Sequence, residues 1–377
     1  MVSLSLKRRK VSERRIRSRS MVSGVRLGRK IVVSSAVTVS MALVAAACGS
    51  SAPASSSASA SSAAPASTAA KAPESVSVGF IDGFDGAQNL AVGLNQGFFS
   101  KAGLKVTTTM FQSGPPAIDA MASGKVDIAF IGPGALYLAA KGRADVIGVD
   151  DISADDALVT DSPSISSVSD LKGHTVITPV GTSGEMLLYL ALKNAGLSLS
   201  SVKIQNVTPS SSVIAMNSHK ASTASVWGHY IGAMQSGIPG LKVIASDKSF
   251  YPKVALTDVW VASPSFVAAH PGAVSRFMQA ELQANQYYIN NSQAMLPVVS
   301  KFVRLPVSAL TPGAQGTVLV PSQQLVTDYG NGTVASWLKT EESMFISMGL
   351  LTKSVPVTSF WNPKYGLAGG KAAGFGA

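Results

Sequence analysis

The chain has 377 residues, a formal net charge of +11 and a single cysteine, Cys48. One thiol cannot form an internal disulfide or a cysteine-cluster metal site, so both are excluded. Residues 1–30 hold eleven of the 31 basic residues and one of the 20 acidic residues, which leaves 20 against 19 in the remainder. The basic excess therefore belongs to the N-terminal segment, and it does not indicate nucleic-acid binding by the rest of the chain.

An apolar segment follows the basic one. Residues 31–47, IVVSSAVTVSMALVAAA, carry no charge and end in small residues. This order is typical of an export signal, predicted here over residues 1–47. A membrane-spanning helix is the weaker interpretation, because it needs about 20 residues. Met21 is an alternative start to Met1, since MVSGVRLGRK followed by the apolar segment makes a compact signal.

Small and polar residues dominate the next segment. Residues 49–73 read GSSAPASSSASASSAAPASTAAKAP, without an aromatic side chain. Such a segment cannot bury enough apolar surface to offset the entropy lost on ordering. It predicts a flexible tether over residues 48–73.

Short apolar runs then alternate with helical stretches. Strands are predicted over residues 76–81, 105–111, 126–131, 146–150, 174–178, 202–207, 225–227 and 241–245. Helices are predicted over residues 87–96, 115–123, 135–141, 184–195, 271–289 and 333–348. This alternation indicates an α/β fold in which helices cover both faces of parallel sheets. The Gly/Ala-rich residues 366–377 predict a disordered tail.

Three blocks carry a family resemblance: GLNQGFFSKAGLKV, SGPPAIDAMASGKVDIAFIGPGALYLAAKG and SDLKGHTVITPVGTSGEMLLYLALKNAGLSLSSVKIQNV. In this order they resemble the substrate-binding proteins of ABC importers for nitrate, sulfonates, taurine and thiamine precursors. The resemblance implies a two-lobed type II periplasmic-binding fold, with two hinge strands and a ligand cleft between the lobes. It implies a first lobe from residues 74–161 and 263–365 and a second lobe from residues 162–262. The hinges would lie near residues 162–166 and 259–263.

The segment Ala45-Ala46-Ala47-Cys48-Gly49 resembles a bacterial lipobox, with Ala45 where leucine is usual. The resemblance implies that Cys48 is acylated and anchors the protein at the outer face of the cytoplasmic membrane. The alternative is ordinary signal cleavage nearby, which leaves Cys48 as a free thiol.

Ligands of open α/β sheets bind beyond the carboxyl ends of the strands, so the residues that follow strands are the candidates. The candidate ligand-binding residues are Asp82, Phe84, Asp85, Gln112, Ser113, Gly114, Gly132, Pro133, Gly134, Asp155, Thr182, Ser183, Gly184, Trp227, His229 and Tyr230. Residues 182–184 lead this set, because hydroxyls and free backbone N–H groups at a helix start make an anion pocket. The alternative is that Thr182 or Ser183 caps the helix.

Aspartates and aromatic residues are also concentrated at these positions. Asp82, Asp85, Asp155 and Asp156 would disfavour a simple anion such as nitrate or a sulfonate if they face the cleft, and would favour a zwitterion or a cation. Their alternative role is in solvated turns or helix caps. Residues 227–230 stand where the family has Trp-Glu-Pro-Tyr, and they could stack on a planar or cationic ligand. The alternative is that Trp227 only packs at the end of a half-buried strand.

Catalysis, a cofactor and a metal site are not predicted. The histidines at positions 174, 219, 229 and 270 lack the spacing of metal ligands. Ser169–Lys172 and Ser200–Lys203 match a Ser-x-x-Lys nucleophile pattern, but the Lys-Thr-Gly strand that accompanies it is missing.

The resemblance implies a lipid-anchored, monomeric receptor that binds a small polar solute and presents it to an ABC permease in the membrane. The alternatives are an exported, lipid-anchored serine hydrolase and a ligand-sensing receptor with the same fold.

Overall fold

The computed structural model describes residues 72–376. The predicted export signal, the lipobox with Cys48 and nearly all of the predicted tether lie outside these residues. Within residues 72–376, no helix combines the length and the apolar character needed to cross a membrane.

A five-stranded sheet forms the centre of the first lobe, in the order β2-β1-β3-β10-β4. Its strands are β1 (Glu74–Ile81), β2 (Leu104–Phe111), β3 (Ile128–Ile131), β4 (Asp145–Ile152) and β10 (Thr257–Ala262). Strand β1 pairs in parallel with β2 and β3, whereas β10 runs antiparallel between β3 and β4. The carboxyl ends of β1, β2, β3 and β4 therefore meet at one edge, together with the amino end of β10.

The second lobe is built on a sheet in the order β7-β6-β8-β5-β9. Its strands are β5 (Asp156–Thr160), β6 (Thr175–Thr178), β7 (Lys203–Asn206), β8 (Thr223–Trp227) and β9 (Lys242–Ser246). Strand β6 pairs in parallel with β7 and β8, and β5 runs antiparallel between β8 and β9. Here the amino end of β5 shares an edge with the carboxyl ends of β6 and β8.

Helices cover both faces of each sheet. In the first lobe they are α1 (Gln88–Asn95), α2 (Phe98–Lys101), α3 (Gly114–Ala122), α4 (Leu136–Ala140), α8 (Pro264–Ala269), α9 (Pro271–Val303), α10 (Val307–Gly316), α11 (Ser322–Asn331), α12 (Thr333–Ser347) and α13 (Lys364–Ala373). In the second lobe they are α5 (Ser183–Asn194), α6 (Pro209–Asn217) and α7 (Gly228–Gly237). Every strand and helix predicted from the sequence is present, and the predicted α/β class with two lobes is confirmed.

The lobe boundaries differ from the expected ones by one strand at each crossing. Strand β5 pairs within the second sheet and β10 within the first. The chain therefore crosses between the lobes at residues 153–155 and 247–256, rather than near residues 162–166 and 259–263. Neither strand was predicted, because a short apolar run does not reveal the sheet in which it finds its partner.

The predicted disordered tail is also wrong, because residues 364–373 form α13, which packs on α9 and α11. Its glycines allow the close approach. A Cβ at Gly369 would lie 2.7 Å from the backbone nitrogen of Gln279, and one at Gly370 would lie 2.3 Å from a methyl carbon of Val326. The small residues that resemble a disordered composition are thus a helix-packing surface.

Candidate ligand-binding cleft

A cavity lies between the two lobes at the edges described above. The centre of a water-sized sphere can move through about 40 Å³ of it, so the closed cleft has room only for a small solute. The lining residues are Ile81, Asp82, Gly83, Phe84, Asp85, Ser113, Gly114, Phe130, Gly132, Ala135, Ser153, Asp155, Asp156, Thr182, Ser183, Trp227, Gly228, His229 and Asp258. Both lobes and the first crossing contribute to it.

Most of the sequence-predicted site residues lie in this lining. They are Asp82, Phe84, Asp85, Ser113, Gly114, Gly132, Asp155, Thr182, Ser183, Trp227 and His229. The other five lie next to the cavity without lining it: Gln112, Pro133, Gly134, Gly184 and Tyr230. Of these, Gly184 packs against the backbone of Ser225, whose hydroxyl donates to the Gly184 carbonyl at 2.6 Å.

Direct contacts between the lobes show that the cleft is closed. The Tyr230 hydroxyl of α7 donates to Asp82 Oδ2 of the first lobe at 2.7 Å. The Ser210 hydroxyl of the second lobe donates to Gln112 Oε1 at 3.2 Å. At Gly134, a Cβ would lie 1.9 Å from the carbonyl carbon of Thr182, so the backbones of the two lobes are in contact there.

The start of α5 does not present the predicted pair of hydroxyls. Thr182 Oγ1 donates to the carbonyl of Pro179 at 2.6 Å and makes no cap for the helix. Glu185, in the first turn, accepts from the backbone nitrogen of Gly181 at 2.7 Å. The Glu185 carboxylate therefore already accepts one of the backbone N–H groups at this helix start. Of the two predicted hydroxyls, that of Ser183 is the one left to face the cavity.

Five aspartates line the cavity: Asp82, Asp85, Asp155, Asp156 and Asp258. The described lining residues include no lysine or arginine. Burial is the main cause that raises the pKa of each carboxyl, and for Asp85 it raises the pKa to about 6. For Asp155 and Asp258, the charge of Asp85 raises the pKa further. The four aspartates noted in the sequence thus face the cleft, and Asp258 joins them from β10.

Asp258 was not predicted, and Asp156 was named only among the aspartates that could face the cleft. Ligands lie beyond the carboxyl ends of parallel strands, and neither residue follows such a strand. Asp156 and Asp258 lie at the amino ends of β5 and β10, which are antiparallel to their neighbours and so bring their first residues to the same edge. Recognising β5 and β10 as strands would have identified both.

A second layer of polar groups lies behind the aspartates. Gln88 Nε2 donates to Asp150 Oδ2 at 2.8 Å and to Asp151 Oδ2 at 2.9 Å, while Asn89 and Trp260 donate to Asp150 Oδ1 at 2.7 Å and 2.8 Å. Asp150 therefore receives three neutral donors, as a buried carboxylate requires. These bonds fix α1 to β4 and β10 and hold the lining strands in place.

His229 and the aromatic residues form the remaining wall. Burial lowers the pKa of His229 to about 4, so its imidazole is neutral at pH 7. Its Nε2 lies 3.7 Å from Asp82 Oδ2, and its ring lies 4.0 Å from that of Tyr230 between centroids. Phe84, Phe130 and Trp227 add apolar ring surface to the lining.

Comparison with known proteins agrees with this architecture. The model of the NMT1/THI5-like family matches residues 87–295. A binding protein of Brucella abortus, whose name gives no solute, is 30% identical over 290 residues, 77% of this chain and 91% of that protein. The taurine-binding periplasmic protein of Escherichia coli is 28% identical over 239 residues, 60% of this chain and 73% of that one.

Solved structures show the same fold. The alkanesulfonate-binding protein SsuA of Xanthomonas axonopodis, solved with bound MOPS, has a TM-score of 0.64 at 18% identity and covers 77% of this chain and 98% of its own. The desulfurization enzyme DszB has a TM-score of 0.59 at 16% identity, covering 79% and 99%. The fold therefore occurs both in binding proteins and in an enzyme.

Two lobes joined by two crossings around a cavity define the type II periplasmic-binding fold. The chain belongs to the NMT1/THI5-like family. One of its relatives is named as a taurine-binding periplasmic protein.

The serine-nucleophile patterns of the sequence are not assembled in the part of the chain that the structure describes. His219 pairs with Asp161 and His270 with Glu74, His229 lies 3.7 Å from Asp82, and no described histidine side chain bonds to a serine hydroxyl. The two Ser-x-x-Lys pairs are exposed and lie outside the cavity lining. Within residues 72–376, no group of three metal-ligating side chains is placed to hold an ion.

Proposed function

We propose that the protein is the extracytoplasmic solute receptor of an ABC importer, held at the outer face of the cytoplasmic membrane by acylated Cys48. The observation that carries the proposal is the closed cleft, in which residues of both lobes surround a small polar cavity. Membership of a family with taurine- and sulfonate-binding relatives supports it. The basic and apolar leader and the lipobox supply the route to the membrane.

Binding and closure are the whole activity in this proposal. The lobes rotate about residues 153–155 and 247–256, and the solute stabilises the closed form because it contacts both lobes. The predicted residues in the cavity lining are the ones proposed to contact the solute. The permease then recognises the closed receptor, which works as a monomer and needs no cofactor.

The chemistry of the cavity bears on which solute is bound. Sulfonates, nitrate, taurine and thiamine precursors are the solute classes that the family resemblance implies. Ser183 and the backbone N–H groups near it are the groups in the lining that suit an anion. Five aspartates without a cationic neighbour in the lining oppose a simple anion.

Tryptophan fluorescence and calorimetry on the purified protein test the receptor role. Trp227 lines the cavity, so solute binding should change its emission, and the Trp227→Phe variant assigns the signal. Saturable one-to-one binding without product formation is the expected result. Turnover of any compound would instead favour the hydrolase, for which a DszB-like use of the fold is the precedent.

The membrane anchor has its own test. Replacement Cys48→Ala removes the acylation site, and the protein should move from the membrane fraction to the soluble exported fraction. Radiolabelled fatty acid should be incorporated into the natural protein and not into the variant. An unchanged membrane fraction would refute acylation and leave solute binding unaffected.

The sensory alternative is tested by deleting the gene. A sensory role would show as loss of a transcriptional response to the solute, while uptake of the solute stays intact.

A further inference from the structure

The cavity lining contains polar atoms that find no hydrogen-bond partner among residues 72–376. They are Asp82 Oδ1, Asp155 Oδ1, Asp156 Oδ2 and His229 Nδ1. Three of the four are carboxylate oxygens, which accept hydrogen bonds and cannot donate when ionised. Buried polar groups in folded proteins are nearly always paired, so each such atom calls for a partner.

Asp156 is the most buried of these residues, with 1% of its surface exposed. It begins β5 in the second lobe, opposite Trp227 in the pairing with β8. Asp258, 4% exposed, approaches from β10 in the first lobe. A Cβ at Gly132 would lie 3.5 Å from Asp258 Oδ1 and 4.0 Å from Ser183 Oγ, so these side chains face the gap from opposite lobes. The carboxylates therefore stand on both sides of the ligand space.

The protein also makes room for a carboxylate between the lobes. Asp155 Oδ2 would lie 2.6 Å from a Cβ at Gly228 in the second lobe and 3.1 Å from one at Gly313 in the first. Side chains at either glycine would displace the carboxylate. The absence of a side chain at Gly228 and Gly313 therefore leaves the space that the Asp155 carboxylate occupies.

His229 adds a fourth acceptor. Its side chain is 10% exposed, and burial keeps the ring neutral. The tautomer that directs Nε2–H toward Asp82 leaves Nδ1 as an acceptor. A Cβ at Gly83 would lie 3.2 Å from this nitrogen, which limits the size of the chain beside it.

Resting on the receptor role proposed above, we infer that the solute is an organic cation with N–H groups, a protonated amine or amidine, which Asp156 and Asp258 bind from opposite lobes. The cation supplies hydrogens to acceptors that the protein leaves without donors. Its charge offsets the repulsion among carboxylates that closure brings together. The ring faces of Phe84, Phe130 and Trp227 attract a cation and cover its apolar part.

Other occupants fit less well. A sulfonate or nitrate brings only acceptors, so it would leave the unpartnered carboxylate oxygens without donors, and its charge has the same sign as that of the aspartates. A quaternary ammonium has the right charge but no N–H group, so the unpartnered oxygens would stay unpartnered. A metal ion lacks a ligand set in the described residues.

The test uses matched compounds that differ only in their head group. The set is 2-phenylethylammonium, its N-trimethyl analogue and 2-phenylethanesulfonate, with 1,4-diaminobutane, methylammonium, benzamidine and taurine as further probes. Thermal shift and calorimetry are run on the purified protein at pH 7.5. We expect one-to-one binding of at least one N–H cation, at least tenfold tighter than its trimethyl analogue, and none of the sulfonate.

The variants assign the contact. Asp156→Asn keeps the shape and removes the charge, and we expect it to weaken binding of the cation at least tenfold. Asp258→Asn, in the other lobe, should also weaken binding of the cation. If one of the two variants fails to fold, the other still tests the contact. Asp119→Asn is the matched control, because Asp119 lies on the surface in a pair with Arg143. Circular dichroism checks the fold of all three.

The outcomes separate the inference from the receptor role. Binding of the sulfonate or taurine in preference to every ammonium and amidinium would overturn the cation and leave a receptor for anions or zwitterions. Absence of binding by every N–H cation would also overturn it. Turnover of a probe would overturn the receptor role and the inference together. Equal affinity in the Asp156→Asn variant would refute the assigned contact.

Discussion

The hydroxyl of Tyr230 on α7 donates a hydrogen bond to Asp82 after β1, across the cleft, at 2.7 Å. The two residues belong to different lobes, so this bond exists only in the closed form. A hydrogen bond to a charged partner contributes about 1.5–3 kcal/mol. It is therefore part of the free-energy difference between the open and closed forms.

Replacement Tyr230→Phe should weaken solute binding about tenfold, because the closed form loses this bond while each lobe keeps its core. Calorimetry gives the affinity, and thermal unfolding checks the fold. Tyr287→Phe is the matched control, since Tyr287 packs its ring on Phe98 away from the cleft. Equal affinities for the two variants would mean that the bond does not contribute to closure.

Replacement Gly134→Ala should prevent full closure. The new Cβ would lie 1.9 Å from the carbonyl carbon of Thr182, a distance that two backbones cannot accommodate without moving apart. Small-angle scattering with saturating solute should report the more extended form, with binding weakened at least 100-fold. Gly232→Ala is the control, because nothing lies within 4 Å of a Cβ there. A compact Gly134→Ala protein would contradict the closed geometry.

The stability of the closed, solute-free form should fall as the pH rises. The titratable groups that face one another at the cleft are Asp82, Asp85, Asp150, Asp151, Asp155, Asp156, Glu185, His229, Tyr230, Asp247 and Asp258. Burial raises the pKa of Asp85 from 3.8 to about 6 and that of Asp247 from 3.8 to about 7. From pH 3.8 up to its raised pKa, each of these carboxyls holds a proton in the folded protein and not in the unfolded chain. The free energy of unfolding therefore decreases as the pH rises through that range.

Differential scanning calorimetry from pH 4.5 to 8 checks this pH dependence. Neutral His229 has the opposite sign, because its pKa is lowered, but it contributes only below about pH 6.5. The two raised aspartate pKa values outweigh the one lowered histidine pKa, so the unfolding temperature should decline from pH 4.5 to about pH 7. Asp156→Asn should flatten the decline. An unfolding temperature that rises from pH 4.5 to 7 would contradict buried, mutually repelling carboxyls.

Binding of a cation should release protons. Carboxyls that hold protons in the closed cleft become ionised when a positive charge enters, because an opposite charge lowers their pKa. Calorimetry in phosphate and in Tris, whose ionisation enthalpies differ, should give binding enthalpies that differ with the sign of proton release to the buffer. Identical enthalpies would indicate that the aspartates are already ionised before binding.

The packing of α13 on the first lobe can be tested at its glycines. Replacement Gly369→Ala places a Cβ 2.7 Å from the backbone of Gln279 and should destabilise the protein by about 1–3 kcal/mol through overpacking. Gly330→Ala in α11 is the control, because its Cβ would meet only Leu367 at an ordinary 3.7 Å. It should be neutral or stabilising, as expected for alanine in place of glycine in a helix. Thermal unfolding distinguishes the two.

Local patterns in the sequence predicted most of the fold and a large part of the site. The apolar runs at β1 and β3 and the turns after them led to Asp82 and Gly132, because a buried parallel strand and its loop are contiguous in the chain. The pairing of β5 and β10 could not be predicted, since it depends on partners more than 60 residues away for Asp156 and more than 100 for Asp258. The aspartates that stand out in the cavity lie on those strands.

The role of the α5 start shows a different limit. A Thr-Ser-Gly sequence before a helix is compatible with either a ligand pocket or a cap. The Thr182 hydroxyl makes no cap and donates to the carbonyl of Pro179, although Thr182 lies in the cavity lining. The tail shows the converse, because glycine-rich composition predicts disorder unless the partner helices are known. In both cases the residues that pack against the segment determine its structure, and the local sequence does not identify those residues.

The two crossings also determine the order in which the two lobes can be completed as the chain is synthesised. The second lobe is continuous from β5 to β9, so all of its strands are present once residue 246 has passed. The first lobe begins earlier but waits for β10 and for helices as far as Ala373. The portion that starts first therefore finishes last, and the edges of β3 and β4 remain unpaired until β10 has emerged at residue 262. A chaperone would find its target at these two edges.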